Sequence, residues 1–203
     1  ILNELRYRGS TPLSVRQRGD RRFRPLPMNE TVGGMSVFYG GASLRLREAD
    51  FARWPIDYRD LEPFYSEAEQ LLGVHGSAGT DPCEPPRTAA YPFPSIPYTA
   101  PAARIRQAGE ALGFRPFPIP LAINFSGSQG PQCVQCNTCD GFPCAIEAKN
   151  DAGSLLRRAE RQGLVVRAGI LVRRLQIQGE RVAAASCVDQ ESGEEMSFEA
   201  PLF

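Results

Sequence analysis

The chain has 203 residues, of which 42% are hydrophobic and 23% charged, and its 23 basic and 23 acidic residues leave no net charge. This length suffices for one or two domains with a buried core, and the charge balance argues against a nucleic-acid partner bound by phosphate neutralisation. Six cysteines accompany a single histidine, His75, which removes most acid–base and histidine-ligand schemes. No apolar run approaches the length of a transmembrane span, which favours a soluble protein, and the sequence leaves its compartment open between cytoplasm and periplasm.

The first thirty residues are basic and irregular. Five arginines crowd together between residues 16 and 24, and prolines on either side interrupt any helix. A basic run of this kind is typical of a solvated face, and anion binding is the less common alternative.

A glycine-rich stretch follows, with one glycine pair at residues 33–34 and another at residues 40–41. Paired glycines let backbone N–H groups approach a flat or anionic ligand that side chains would keep away. A glycine-rich turn between strands is the plain alternative. No G-x-G-x-x-G or P-loop occurs in the chain, so it carries no self-contained nucleotide fingerprint.

The next segment has the pattern of a complete helix. Asp60 is the candidate N-cap, Pro63 falls in the first turn, and Gly73 is the stop signal. Helical spacing predicts one apolar face, made of Leu61, Phe64, Tyr65, Ala68, Leu71 and Leu72.

Residues 80–101 contain seven prolines, which predicts an extended segment wrapped over a surface, with disorder as the alternative. Helical patterns return at residues 102–112 and 147–162, each ended by a glycine. The end of the chain is predicted to form successive strands joined by hairpin turns, at residues 164–167, 170–178, 181–188 and 194–199.

Four cysteines form a C-x2-C-x2-C-x4-C cluster, made of Cys133, Cys136, Cys139 and Cys144. Thiols this close can converge on one ion or cluster because loop closure costs little. The spacing approaches a ferredoxin run, although the last gap is longer and the proline precedes the final cysteine. A four-thiolate zinc site, disulfides and free structural thiols are the other readings.

Several motifs in fixed order carry a family resemblance. They are Val-Gly-Gly-Met-Ser-x-Phe-Tyr-Gly-Gly at residues 32–41, Ala-Asp-Phe-x-x-Trp-Pro-Ile-x-Tyr-x-Asp-Leu-Glu-Pro-Phe-Tyr-Ser-Glu-Ala-Glu at residues 49–69, and Cys-Asn-Thr-Cys-Asp-Gly-Phe-Pro-Cys-Ala-Ile-Glu-Ala-Lys at residues 136–149. With the strand at residues 168–172, they resemble the glucose–methanol–choline (GMC) oxidoreductases, FAD-dependent dehydrogenases and oxidases of alcohols and sugars. The bacterial branch with gluconate-type dehydrogenase flavoprotein subunits is similar in particular.

The resemblance implies which residues face FAD. In the family the double-glycine segment lies against the flavin and the pyrophosphate side of the cofactor, and the matching positions are Gly33, Gly34, Ser36, Tyr39, Gly40 and Gly41. Tyr39 stands where many members carry asparagine or histidine near the isoalloxazine, and a tyrosine can stack on that ring or bond to it. Val172 matches a position whose backbone contacts the adenine, and a plain core valine is its alternative reading.

The resemblance also implies an α/β fold of mixed α+β character: a partial FAD-binding domain with a β-meander, and part of a substrate-binding domain. We expect the flavin-covering loop and helix at residues 1–79 and the proline-rich part of the substrate domain at residues 80–130. A Cys-rich loop and helix would occupy residues 131–163, and the β-meander of the FAD domain residues 164–203.

The implied activity is oxidation of a CH–OH group of an alcohol or sugar by hydride transfer to FAD, with an electron-acceptor protein as a further partner. The family's N-terminal G-x-G-x-x-G and its C-terminal catalytic histidine have no match here, and His75 fits a surface or loop position. We therefore expect an internal fragment of a longer flavoenzyme, with no catalytic residue and no activity by itself. The rival hypothesis is a zinc or iron–sulfur module built on the four cysteines, although their spacing differs from that of iron–sulfur relatives.

Overall fold

The computed structural model describes residues 31–201, so the basic segment of the first thirty residues lies outside the described part. The chain forms two compact units, one of residues 35–159 and one whose described parts are residues 31–34 and 160–201. Its secondary structure mixes helices and strands, which confirms the predicted mixed α/β class. Within residues 31–201, every helix is too short or too polar to cross a bilayer. The four segments expected from the resemblance stay predictions.

The main helix of the larger unit, α1, spans Tyr58–Leu72. Asp57 is its N-cap, and the carboxylate of Asp57 accepts hydrogen bonds from the backbone N–H groups of Arg59 and Asp60. The side chain of Asp60 accepts a bond from the Asp57 N–H in return, which completes a capping box. Asp60 is therefore the third residue of the helix, and its prediction as the N-cap was wrong. The predicted stop is confirmed, because Gly73 adopts the left-handed conformation at φ 61°.

The buried face of α1 is not the predicted apolar one. Phe64 is 63% exposed and Leu71 is 52% exposed, whereas Tyr58, Glu62 and Glu69 are buried. Hydrophobic spacing predicts the inner face only where the partner surface is apolar. Here the surface that packs against α1 includes the buried Arg45, so Glu62 and Glu69 of the helix point inward and pair with it.

The capping box provides the first prediction. We expect Asp57→Ala to lower the free energy of unfolding by about 1 kcal/mol, because two backbone N–H groups lose their acceptor. Urea denaturation followed by the fluorescence of Trp54 measures this loss. The control is Glu67→Ala on the exposed side of α1, which we expect to change stability by less than about 0.5 kcal/mol. Equal losses in the two variants would contradict the capping role.

The core of this unit is built around residues 121–124, which bond to three separate parts of the chain. The Ala122 N–H donates to the Gly41 carbonyl at 2.8 Å, and His75 and Leu121 exchange both backbone hydrogen bonds at 2.9 Å. The Asn124 N–H donates to the Ala148 carbonyl at 2.7 Å. The buried apolar side chains of the unit are Val37, Phe51, Tyr58, Val74, Ala122, Ile123 and Ala148.

The proline-rich segment is largely irregular, as predicted, and pairs with the core through two short strands. β1 (His75–Gly76) lies parallel to β2 (Phe93–Pro94). His75 is buried, because its ring stacks on Phe93 and meets the ring of Phe125 edge-on. The prediction of a surface histidine was therefore wrong. A second helix, α2 (Ala100–Ala111), begins two residues before the predicted start.

The third helix, α3, spans Ala152–Glu160 and begins five residues later than predicted. The preceding residues join the core instead, since Lys149 bridges Ile123 and the Asn150 N–H donates to the Ala122 carbonyl at 2.8 Å. Tertiary pairing therefore overrides the helical pattern at this end.

The other unit contains a three-stranded antiparallel sheet in the order β3–β4–β5, which is the predicted β-meander. The strands are β3 (Ile170–Gln178), β4 (Arg181–Asp189) and β5 (Glu195–Glu199). Residues 164–167 form no strand, so that part of the prediction was wrong. Among the described residues of this unit, the buried apolar ones lie on β4, at Ala184, Ala185 and Cys187.

Candidate functional site

The predicted flavin-facing residues lie on one continuous stretch, residues 33–41, which we call the glycine segment. It begins with a turn in which Gly33 and Gly34 have φ angles of 94° and 58°, and continues into a 3-10 helix at Gly34–Val37. Glycine adopts such angles at no steric cost, whereas other residues adopt them rarely. A Cβ atom added to Gly34 would meet no heavy atom of residues 31–201 within 4 Å, so no described side chain covers the backbone at this point.

One side of the glycine segment is fixed by residues 149–152, which we call the anchor segment. The Tyr39 hydroxyl donates to the Asn150 carbonyl at 2.6 Å. The Ala152 N–H, at the start of α3, donates to the Ser36 hydroxyl oxygen at 3.1 Å. These contacts join residues more than one hundred positions apart in the chain.

The environment of Tyr39 keeps its hydroxyl protonated. Burial and the nearby carboxylate of Asp151 raise the pKa of Tyr39 to about 12. The Tyr39 hydroxyl donates to the Asn150 carbonyl of the anchor segment, so this hydrogen bond is made inside the protein. Tyr39 thus holds the segment in place through its hydroxyl, while its predicted role toward the flavin ring stays a prediction.

The second glycine pair differs in its surroundings. A Cβ atom at Gly41 would lie 2.9 Å from Cγ1 of Ile123, and Gly41 has a φ of 85°, so internal packing alone requires glycine there. Gly40 is less crowded, with Asp140 as its nearest neighbour at 3.8 Å. Neither the Gly40 nor the Gly41 N–H donates to an acceptor within residues 31–201. These two adjacent donors are therefore available to a ligand.

The cysteine loop, residues 133–144, packs against the glycine segment. The Gly141 N–H donates to the Phe38 carbonyl at 2.8 Å. All six cysteines are free thiols. The structure therefore contains none of the disulfides that the sequence left as an alternative. Within the loop, the Gln135 N–H points to the Cys133 sulfur at 3.3 Å.

The four clustered thiols influence one another electrostatically. Burial raises the pKa of Cys139, and the charge of the Cys133 thiolate adds to this, while Lys149 opposes it. Bonding to Thr138 lowers the pKa of Cys136, which lies at the surface. No three His, Cys, Asp or Glu side chains in the described part converge closely enough to hold a metal ion. A zinc or iron–sulfur site on these cysteines stays a prediction.

The remaining predicted cofactor residue, Val172, lies on β3 in the same unit as Gly33 and Gly34. Its side chain is 55% exposed, and its backbone is in register with Cys187. It is therefore not a core valine in this structure. Its contact with adenine stays a prediction.

Sequence reasoning missed the anchor segment. Lys149 is 1% exposed and Asn150 is 4% exposed, and both bind parts of the chain far from them in sequence. One signal was available, because Lys149 is the only lysine among 23 basic residues. A compact ammonium group and a planar guanidinium bind different sets of acceptors, so a lone lysine in an arginine-rich chain marks a position to inspect.

A family model for GMC oxidoreductases matches residues 4–201. The chain belongs to the GMC oxidoreductase family, a family of flavoprotein dehydrogenases and oxidases, and the predicted resemblance is confirmed.

Among curated proteins, the chain is 35% identical over 189 residues to 6'''-hydroxyparomomycin C oxidase of Streptomyces lividus, an alignment that covers 85% of this chain and 34% of that protein. It is 34% identical to paromamine 6'-oxidase of Streptomyces fradiae, over 78% of this chain and 31% of that protein. It is also 30% identical to the gluconate 2-dehydrogenase flavoprotein of Pantoea cypripedii, over 46% of this chain and 18% of that protein. The chain thus spans about a third of the length of the first two relatives.

Proposed function

We propose that this chain is the flavin-covering part of an FAD-dependent oxidoreductase that oxidises CH–OH groups of a sugar or another alcohol. The glycine segment would lie against the cofactor, and the β-meander would approach its adenine side at Val172. In the proposed complete enzyme, bound FAD would accept the hydride. The reduced enzyme would pass its electrons to a further acceptor, and an electron-acceptor protein is one such partner.

The observation that carries this proposal is that, within the described residues, the glycine segment is hydrogen-bonded to the protein on one side only. The anchor segment and the cysteine loop hold it from within, through Ser36, Phe38 and Tyr39. The N–H groups of Gly40 and Gly41 donate to no acceptor within residues 31–201. Buried or half-buried backbone donors normally have a partner, and the carbonyl and phosphate oxygens of FAD fit that need.

The residues of the segment also fit FAD sterically. Within the described residues nothing fills the space where a side chain of Gly34 would stand, which leaves room for a flat ring to approach the backbone there. The acid–base group for alcohol oxidation is not supplied by His75, because that ring is buried and its Nδ1 lies 2.9 Å from the Pro94 carbonyl oxygen. The chain's own role is therefore binding and orientation, and we assign no catalytic residue to it.

The relatives suggest the substrate class. Two of them are named as oxidases of paromamine and of a hydroxyparomomycin, and others as dehydrogenases of gluconate and fructose. We therefore propose a sugar-like substrate whose hydroxyl group is oxidised.

The test compares this chain with a longer protein in which it is joined to a GMC nucleotide-binding region and a histidine-bearing substrate region. We expect the longer protein to retain FAD through gel filtration and to reduce a dye with a sugar alcohol. The isolated chain should bind FAD at least about a hundredfold more weakly, since it lacks the G-x-G-x-x-G phosphate site, and should show no turnover.

Two results would contradict the proposal. One is dye reduction by the isolated chain with an alcohol, which would mean that the acid–base group lies within it. The other is a folded longer protein without bound flavin. A matched variant, Gly34→Val, should weaken FAD retention by about tenfold or more because the side chain would fill the open space and strain the turn.

A further inference from the structure

The ammonium group of Lys149 is enclosed by backbone carbonyl groups. Its Nζ donates to the carbonyl oxygens of Val37 at 3.1 Å and Tyr39 at 2.6 Å, both in the glycine segment. It also donates to those of Cys139 at 2.9 Å and Phe142 at 2.8 Å, both in the cysteine loop. One cation therefore joins the two segments.

This cation is stabilised mainly by backbone dipoles. Lys149 is 1% exposed, and it forms no salt bridge with a carboxylate within residues 31–201. A buried charge without such a partner is costly unless other polar groups replace its water shell. Four carbonyl oxygens around three N–H donors provide that replacement, and the Tyr39 ring adds a cation–π contact at 5.6 Å. The charge can be stable here only while both segments keep their positions.

The carbonyl contacts also determine where a backbone donor points. In a trans peptide the C=O and the following N–H lie in one plane and point in opposite directions. The Tyr39 carbonyl points to Lys149, so the Gly40 N–H points away from it. That N–H donates to no acceptor within the described residues.

We propose that Lys149 is a positioning residue for cofactor binding: it holds the Tyr39–Gly40 peptide so that the Gly40 N–H is presented to FAD, and it ties the cysteine loop behind it. This inference rests on the proposed function for the identity of the ligand. The part of the proposal in which Lys149 joins the glycine segment to the cysteine loop concerns this chain by itself, and it can be tested without cofactor.

The first experiment uses amide hydrogen exchange on the 203-residue chain without FAD. Lys149→Met should raise the exchange rate of the Gly141 N–H, which bonds to Phe38 across the two segments, by about tenfold or more. The N–H of His75, bonded to Leu121 in the same unit, should change by less than about twofold. A parallel rise at both amides would mean general destabilisation and would overturn the positioning role. Arg106→Gln, which breaks an exposed pair on α2, should leave both rates unchanged.

A measurement on the unmodified chain covers the case in which Lys149→Met does not fold. Since Lys149 is the only lysine, acylation by an amine-reactive reagent reports its side chain alone once the N-terminal amine is counted separately. Native acylation should be at least about a hundredfold slower than acylation in urea. Rapid acylation in the native chain would overturn the enclosure on which the proposal depends.

The second experiment uses the longer FAD-binding protein described above. Lys149→Met should raise the dissociation constant for FAD by about tenfold or more and change the visible circular dichroism of any bound flavin. Lys149→Arg should recover little of this, since a planar guanidinium does not match four converging carbonyls. Unchanged affinity and an unchanged flavin signal would overturn the proposal. If the parent protein binds no FAD, the proposed function fails, while the exchange result still decides whether Lys149 joins the two segments.

Discussion

We expect Arg45→Met to lower the free energy of unfolding of the unit of residues 35–159 by about 3–5 kcal/mol, the usual cost of removing one partner from a buried ion pair. The guanidinium of Arg45 lies beneath α1, and its side chain is 2% exposed. Its Nε and Nη2 donate to the two carboxylate oxygens of Glu69 at 2.7 and 2.8 Å. Its Nη1 donates to Glu62 and to the Tyr58 hydroxyl, both at 3.0 Å.

The cost arises from what remains after the substitution. Methionine fills much of the arginine volume, so packing changes little, but Glu62 loses its charged partner while still buried. Glu69 keeps Arg87, whose guanidinium also pairs with Glu84. Of the two carboxylates, only Glu62 is left without a charged partner within the described residues. The loss of unfolding free energy should therefore match that of one broken buried ion pair and not that of two unpaired buried charges.

Urea denaturation followed by Trp54 fluorescence measures this loss, because Trp54 is the only tryptophan and lies in this unit, 5.3 Å from the Phe51 ring. The control is Arg106→Gln, which removes an exposed pair with Glu110 on α2. We expect that variant to lose less than about 0.5 kcal/mol. A loss for Arg45→Met as small as this would show that the buried network contributes nothing to stability.

This network also explains which parts of the fold the sequence could predict. The end of the helix at Gly73 was predictable because a glycine stop acts locally, whereas the placement of Pro63 in the first turn was wrong, since Pro63 is the sixth residue of α1. Its buried face was not, because the apolar pattern favours Phe64 and Leu71, and no local signal shows that Arg45 occupies the facing surface. The β-meander was predictable from alternation and turns, since its strands are neighbours in sequence.

The candidate site divides in the same way. The family motif predicted the glycine segment, whereas its internal supports come from residues far along the chain. Lys149 was included in the motif at residues 136–149 but was not assigned a role, because a buried cation held only by carbonyl groups leaves no charged partner to search for. The helix predicted from residue 147 was wrong at its start, because its pattern also includes residues that pair with distant parts of the chain. Lys149 and Asn150 pair with residues 122–123, so α3 begins only at Ala152.

We also expect the stability of the same unit to fall as the pH decreases from about 4.5 to about 2, and Glu62 to be a main cause. The Thr88 backbone N–H, followed by Arg45 and the Thr88 and Ser66 hydroxyls, lowers the pKa of Glu62 from 4.5 to about 2. The pKa in the folded state lies below that in the unfolded state, so the carboxylate stabilises the fold fully above pH 4.5. That contribution is lost as the pH falls through the folded-state value.

The direction of this effect follows from the lowered pKa, because the charged carboxylate contributes stability at neutral pH that is absent once it is protonated. Glu62→Gln removes the titrating group while keeping the shape of the side chain. Its stability deficit relative to the parent chain should be largest near pH 7 and should shrink progressively between pH 4.5 and pH 2. Urea midpoints read from Trp54 at several pH values measure this convergence.

The matched control is Glu67→Gln, a substitution of the same kind on the exposed side of α1, which should keep the pH dependence of the parent chain. A Glu62→Gln deficit that stays constant from pH 7 to pH 2 would mean that the side chain contributes through packing and neutral hydrogen bonds alone. A Glu62→Gln variant more stable than the parent at pH 7 would mean that burial dominates and that the folded state raises the pKa of this carboxyl group. Only convergence at acidic pH agrees with a carboxylate held in its charged form by the Thr88 amide and Arg45, the arrangement that turns the polar face of α1 inward.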